Sequence, residues 1–142
     1  MLWWMGNMPT TTELPEGVVL LPSGGGRRYA MGKMHADFKA DAETGDRYCI
    51  SEWWLQPGSP GVGAHQHESN DDVFYVLSGS LEFLIGDRWH KVEPGAFIRI
   101  PAGVTHDYRN AGAVPAGLLN FYIPGGFEGA MPAIVDWFAK NG

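Results

Sequence analysis

The stretch GAFIRIPAGVTHDYRN, residues 95–110, decides how this chain folds. A branched apolar run, Phe97 to Ile100, meets Pro101-Ala102-Gly103, and a second extended segment, His106 to Arg109, follows. Proline and glycine two positions apart mark a sharp turn between strands, one that presents His106 back toward an interior. Upstream, HQHESNDDVFYVLSG, residues 65–79, carries two histidines one residue apart, then Asp72 after four more residues. Side chains of an extended segment alternate faces, so His65 and His67 point the same way, about 7 Å apart. Three imidazoles and a carboxylate are a donor set that a divalent metal needs.

Working outward, short apolar runs bounded by turn residues continue in both directions. The strand candidates are Val18 to Leu21, Arg27 to Met31, Lys33 to Lys39, Tyr48 to Leu55 and Asp72 to Leu77. Leu81 to Ile85, Arg88 to Val92, Phe97 to Ile100, His106 to Arg109 and Leu118 to Ile123 complete the series. Ser78-Gly79, Gly86-Asp87 and Pro94-Gly95 supply turns between them, and Gly79 is expected to permit a hairpin between the strand bearing Asp72 and its neighbour. About ten short strands at nearly regular spacing predict an all-β fold, an antiparallel barrel or jelly roll. The tail reads differently. Met131, Ile134, Val135 and Phe138 fall at i, i+3, i+4 and i+7, and Pro132 suits a first helical turn. A short C-terminal α-helix is expected there, packed on one side or end of the barrel.

Composition narrows the partners. The 142 residues fit one domain, which buries roughly two-thirds of its unfolded surface. A net charge of −6 argues against nucleic acid and against an anionic membrane, since both demand a basic surface. Cys49 is the only cysteine, so no intrachain disulfide forms, and a reducing, cytoplasmic setting is expected. Residues 1–17 read as an irregular N-terminal arm and 18–142 as a single domain. The apolar start, Met1 to Met5, lacks the basic and hydrophobic regions of a secretion signal. It is either an extension upstream of a start at Met8 or an anchor on a neighbouring subunit.

The two central stretches resemble the two signatures of the cupin superfamily, G-x5-H-x-H-x(3,4)-E-x6-G and G-x5-P-x-G-x2-H-x3-N. Gly95, Pro101, Gly103, His106 and Asn110 match every fixed position of the second. His65, His67 and Gly79 match the first, but Ser59 stands at its opening glycine and Asp72 at its glutamate. The signatures span residues 59 to 110, about a third of the chain, and the strand series extends the likeness over nearly all of it. The resemblance implies a jelly-roll barrel in which His65, His67, Asp72 and His106 bind one divalent transition metal. Iron, manganese, nickel, copper and zinc all suit such ligands. Aspartate reaches about 1.5 Å less far than glutamate, so the strand comes closer or Asp72 binds through water. Glu68 and Asp71 are nearby substitutes.

Parity selects what faces the cavity. On Tyr48 to Leu55, Tyr48, Glu52 and Trp54 share one face, and Glu52 among apolar neighbours is a candidate acid or base beside Asp72. A salt bridge from Glu52 to Arg27, Arg28, Lys33 or Lys39 is the structural alternative. Tyr108 shares parity with His106, Phe74 shares parity with Asp72, and Asn120 is a polar residue within an apolar strand. These complete the candidate substrate pocket: Tyr48, Trp54, Phe74, Tyr108 and Asn120. His35 and His90 are expected in solvent, and Cys49 as inert packing. The run DVFYVLSG, residues 72–79, is similar to quercetinase-like small cupins. That likeness implies a metal-dependent dioxygenase of a small enolic, phenolic or flavonol-like substrate, assembled as the homodimer common among small cupins. The alternatives are a non-redox isomerase, cyclase or lyase, and a small-molecule-binding cupin without turnover.

Overall fold

A computed structural model of the chain describes residues 14–141, so most of the expected N-terminal arm lies outside the described residues. Two antiparallel sheets face each other. The strands are β1 (Arg27–Met31), β2 (Met34–Ala40), β3 (Cys49–Leu55), β4 (Asp71–Ser78) and β5 (Leu81–Ile85). They continue as β6 (Arg88–Val92), β7 (Phe97–Ile100), β8 (His106–Arg109) and β9 (Ala116–Ile123). The larger sheet runs β1-β2-β3-β9-β4-β7 and the smaller β6-β5-β8. A single α-helix, α1 (Met131–Asn141), closes the described chain and packs on β1. This is the jelly-roll architecture with a C-terminal helix that the strand series predicted.

Alternation explains which side of the large sheet becomes the core. In β3 the odd residues Cys49, Ser51, Trp53 and Leu55 are buried, while Ile50, Glu52 and Trp54 between them are half-exposed. Antiparallel pairing sets Trp53 beside Leu118 and Ala36, and Ser51 beside Asn120 and Phe38, on one continuous inner face. Phe74 of β4 meets Phe83 of β5 across the gap at a ring-centroid distance of 5.0 Å, and Tyr108 of β8 lies 5.6 Å from Phe74. These aromatic rings join the two sheets, and truncating any one to alanine would cost about 3–5 kcal/mol.

Two expectations change. Val18 to Leu21 forms no strand; its side chains are exposed and the backbone is irregular up to the start of β1. Four apolar residues flanked by proline and glycine carry no alternation to bind them to a sheet. Gly79 does not close a hairpin either. β4 pairs with β7 and β9, and β5 with β6 and β8, so Gly79 turns the chain from one sheet to the other. Its φ is +69°, and a Cβ there would sit 2.5 Å from the Pro115 carbonyl oxygen. Only glycine meets both demands. The helical stripe holds: Met131 and Phe138 are buried, and Ile134 and Val135 pack half-buried against the core.

Candidate metal centre

His106 opens β8 directly after the Pro101-Ala102-Gly103 turn, where Gly103 adopts φ +88°. The backbone of His65 pairs with that of His106 in both directions, His65 N–H donating at 3.0 Å and His106 N–H at 2.8 Å. Gly103 N–H donates to the His67 carbonyl at 2.8 Å, so the turn after β7 also holds the second histidine. The segment carrying His65 and His67 is therefore an isolated bridge on the edge of β8 rather than a full strand. Its two rings still share a side, with centroids 5.0 Å apart. The His106 ring lies 4.4 Å from that of His65 and 5.2 Å from that of His67.

Asp72, on β4 of the opposite sheet, projects into this triangle. Its Oδ2 lies 2.9 Å from His106 Nε2 and 3.1 Å from His67 Nε2. Donor atoms of His65, His67, Asp72 and His106 all lie within 4.8 Å of one another, so the four residues could hold a metal ion. The shorter aspartate thus reaches the histidines directly.

The chemistry of the donors fits an ion. The Nδ1 of His65 lies 2.7 Å from the Gly63 carbonyl, and the Nδ1 of His106 lies 3.0 Å from that of Val104. A carbonyl only accepts, so each Nδ1 carries a hydrogen and Nε2 is the nitrogen that would ligate an ion; on His106 that nitrogen is hydrogen-bonded to Asp72 Oδ2. Burial lowers the His65 pKa, which favours the neutral, ligating form. Burial also works against charge on His106, but hydrogen bonds to Asp72 and Val104 outweigh it and hold that pKa above its usual value. At Asp72 burial pushes upward, and hydrogen bonds from His106, His67 and Asn120 together prevail, keeping the carboxyl below its ordinary range.

The other expected site residues divide sharply. Phe74, Tyr108 and Asn120 lie buried on the inner face. Asn120 Nδ2 donates to Asp72 Oδ1 at 2.6 Å, and Phe74 stands 6.1 Å from the His106 ring. Glu52 and Trp54 are corrected: they lie on the outer face of β3. There Trp54 Nε1 donates to Glu52 Oε1 at 2.6 Å, and Lys39 Nζ stands 3.9 Å from Glu52 Oε2. The Lys39 pairing is one of the structural alternatives for Glu52. An unpaired carboxylate on the inner face would lose its hydration without compensation, so the charged face turns outward. Tyr48 is exposed beside Arg47, whose guanidinium carbon lies 5.6 Å from its ring, and it does not face the cavity.

Two residues join the site that the sequence reading passed over. The Tyr122 ring sits 4.9 Å from that of His67, with its hydroxyl 3.5 Å from His67 Nδ1. Phe127 lies 5.1 Å from Tyr122 and 6.4 Å from His67, and also packs on Phe38 and Trp53. Tyr122 shares parity with Asn120 on β9, a signal that was present. Phe127 follows β9 in a short 3-10 turn, and only tertiary folding brings it here. These rings make an aromatic wall on the His67 side. His65 and His67 remain half-buried while His106 and Asp72 are buried, so the side of the centre that carries the first two histidines is the more accessible one.

Comparison with known proteins places the chain. The cupin domain family matches residues 51–122. The quercetin 2,3-dioxygenase of Bacillus subtilis (strain 168) is 30% identical over 122 residues, covering 82% of this chain and 35% of that protein. The chain thus spans about a third of that relative's length. A solved protein of Thermus thermophilus aligns at TM-score 0.64 with 28% identity, over 75% of this chain and 98% of its own. A predicted oxalate decarboxylase of Thermotoga maritima aligns at TM-score 0.66 with 20% identity, over 74% and 98% of the two chains, a likeness of fold alone. Signature residues, sheet order and both kinds of similarity agree: the chain belongs to the cupin family.

Proposed function

We propose that His65, His67, Asp72 and His106 hold one divalent transition metal and that the chain is a dioxygenase of a small enolic, phenolic or flavonol-like substrate. The observation that carries this reading is four donor atoms within 4.8 Å of one another, at the foot of an aromatic wall. The similarity to a quercetin 2,3-dioxygenase supports it. A bound ion lowers the pKa of an enol or phenol and, when redox-active, supplies the electron transfer that oxygen chemistry requires.

The chain's own residues do the rest. Tyr122 and Phe127 flank His67 and offer stacking faces to a planar ring, worth about 0.5–1.5 kcal/mol beyond burial for each good pair. Asp72 is the carboxylate beside the histidines and the candidate acceptor of the substrate's hydroxyl proton, which it would take on release from the ion. Glu52, the other candidate base, has no access from the outer face. Phe74 and Tyr108 close the inner side against water. The partner we propose beyond the substrate is a second copy of the chain. Tyr75, Phe97 and Ile123 lie exposed on the outer side of the large sheet, the side that β3 turns away from the core. Sedimentation equilibrium at twice the chain mass supports this, and a monomer refutes it.

Oxygen uptake with flavonol and 1,3-diketone substrates tests the activity, after reconstitution with iron, manganese, nickel or copper. Uptake that depends on metal and is lost in His106→Ala is expected. No uptake with any of the four ions overturns the oxygenase reading. Turnover with zinc under anaerobic conditions replaces it with a non-redox isomerase, cyclase or lyase.

A further inference from the structure

We infer that Asn120 is a positioning residue for the carboxylate ligand, selecting which oxygen of Asp72 faces the metal. The inference rests on the metal reading above and extends it to a residue outside the four-donor set. Asn120 Nδ2 lies 2.6 Å from Asp72 Oδ1 and 3.1 Å from the Val73 carbonyl oxygen. Both neighbours only accept hydrogen bonds, so the amide nitrogen, with its two hydrogens, must point at them. One hydrogen anchors the side chain to the β4 backbone and the other holds the carboxylate. Neither remains for a substrate.

The consequence falls on Asp72. With Oδ1 tied to β9, rotation of the carboxylate would break a buried hydrogen bond to a charged acceptor, so the group is locked. Oδ2 is left facing His67 Nε2 at 3.1 Å and His106 Nε2 at 2.9 Å. The site therefore offers one carboxylate oxygen rather than two. The sheet makes this pairing unavoidable: Asp72 pairs with Tyr122 and Phe74 with Asn120, so Asp72 and Asn120 sit on one inner face, two residues out of register on adjacent strands. A short carboxylate has little reach to spare, and Asn120 supplies the fixed aim that a longer side chain would find by its own packing.

The test is a double-mutant cycle on Co(II) affinity, read by competition with a chromophoric chelator. Asn120→Ala is expected to weaken Co(II) binding about 10- to 100-fold. In an Asp72→Ala background the same substitution is expected to change affinity by less than about threefold, because no carboxylate remains to position. The visible spectrum of the Co(II) protein should shift alike in Asn120→Ala and Asp72→Ala. Asn120→Leu, which keeps volume and removes the donor, serves where Ala does not fold. Equal losses in both backgrounds, or none in the wild-type background, overturn the inference while leaving the metal site standing. No Co(II) binding by the wild-type chain overturns the metal reading itself. Coupling without oxygen uptake would sink only the oxygenase proposal.

Discussion

Replacing Asp41 should loosen the loop that carries Phe127, and the size of the effect follows from its bonds. Asp41 is 3% exposed. Its Oδ1 accepts the Gly126 N–H at 2.7 Å and its Oδ2 the Glu128 N–H at 2.9 Å, clamping the turn after β9 from both sides. Hydrogen bonds to a charged acceptor contribute about 1.5–3 kcal/mol each, and water entering the gap would recover part of the loss. Asp41→Ala should therefore cost about 3 kcal/mol, and Asp41→Asn, which keeps one acceptor oxygen, about 2 kcal/mol. For a chain of this size that lowers the Tm by roughly 6–12 °C in the alanine variant. Urea denaturation at constant m-value gives the free energy, and ligand affinity reports the freed Phe127. As a control, Glu43→Gln weakens the exposed Arg27 pair 3.0 Å away and keeps a side-chain oxygen to accept the Asp41 N–H, so it should change stability by less than about 1 kcal/mol. A loss below about 1 kcal/mol in Asp41→Ala would refute the clamp.

Other consequences are equally open to measurement. Hydrogen bonds from Arg27 and then Tyr29 hold the Glu128 carboxyl below its ordinary pKa, against the opposing effect of burial. Its stabilising contribution is therefore full above the usual glutamate range and is lost as pH falls through the lowered folded value. Thermal melts of wild type and Glu128→Gln between pH 7 and pH 3 should converge at the acid end, and a constant gap would contradict this. Burial pushes the Cys49 thiol up to about 12. Native protein at pH 8 should resist a thiol reagent that labels the unfolded chain fully, and rapid native labelling would refute the buried placement. Gly79→Ala forces a Cβ onto Pro115 and Ala116 at positive φ and should cost about 2 kcal/mol or more, measured by denaturation; a neutral result would contradict the sheet-crossing turn.

Much of this was legible in the chain because it depends on spacing. The His65, His67 and His106 set, the Pro101-Gly103 turn and the period of the strands are local patterns, and local geometry obeys them. The inward face of β3 was harder. Alternation divides Cys49 to Leu55 into two faces but does not say which is inside, and each face carries a tryptophan. Desolvation decides it: small Ser51 and Cys49 go in, and charged Glu52 stays out with Lys39. Phe127 had no periodic signal, since its position depends on Asp41, distant in sequence. Gly79 was recognised as a turn, yet turn chemistry alone does not distinguish a hairpin from a crossing between sheets.

The measurement that bears most directly on the account is metal content of protein purified without chelator, then dialysed with excess divalent ion, in wild type and in His65→Ala, His67→Ala, Asp72→Ala and His106→Ala. Wild type should hold roughly one tightly bound transition metal per chain, with substantially weakened retention in every variant. Wild-type protein that retains no ion, or a His106→Ala variant that holds its ion as tightly as wild type, would contradict it.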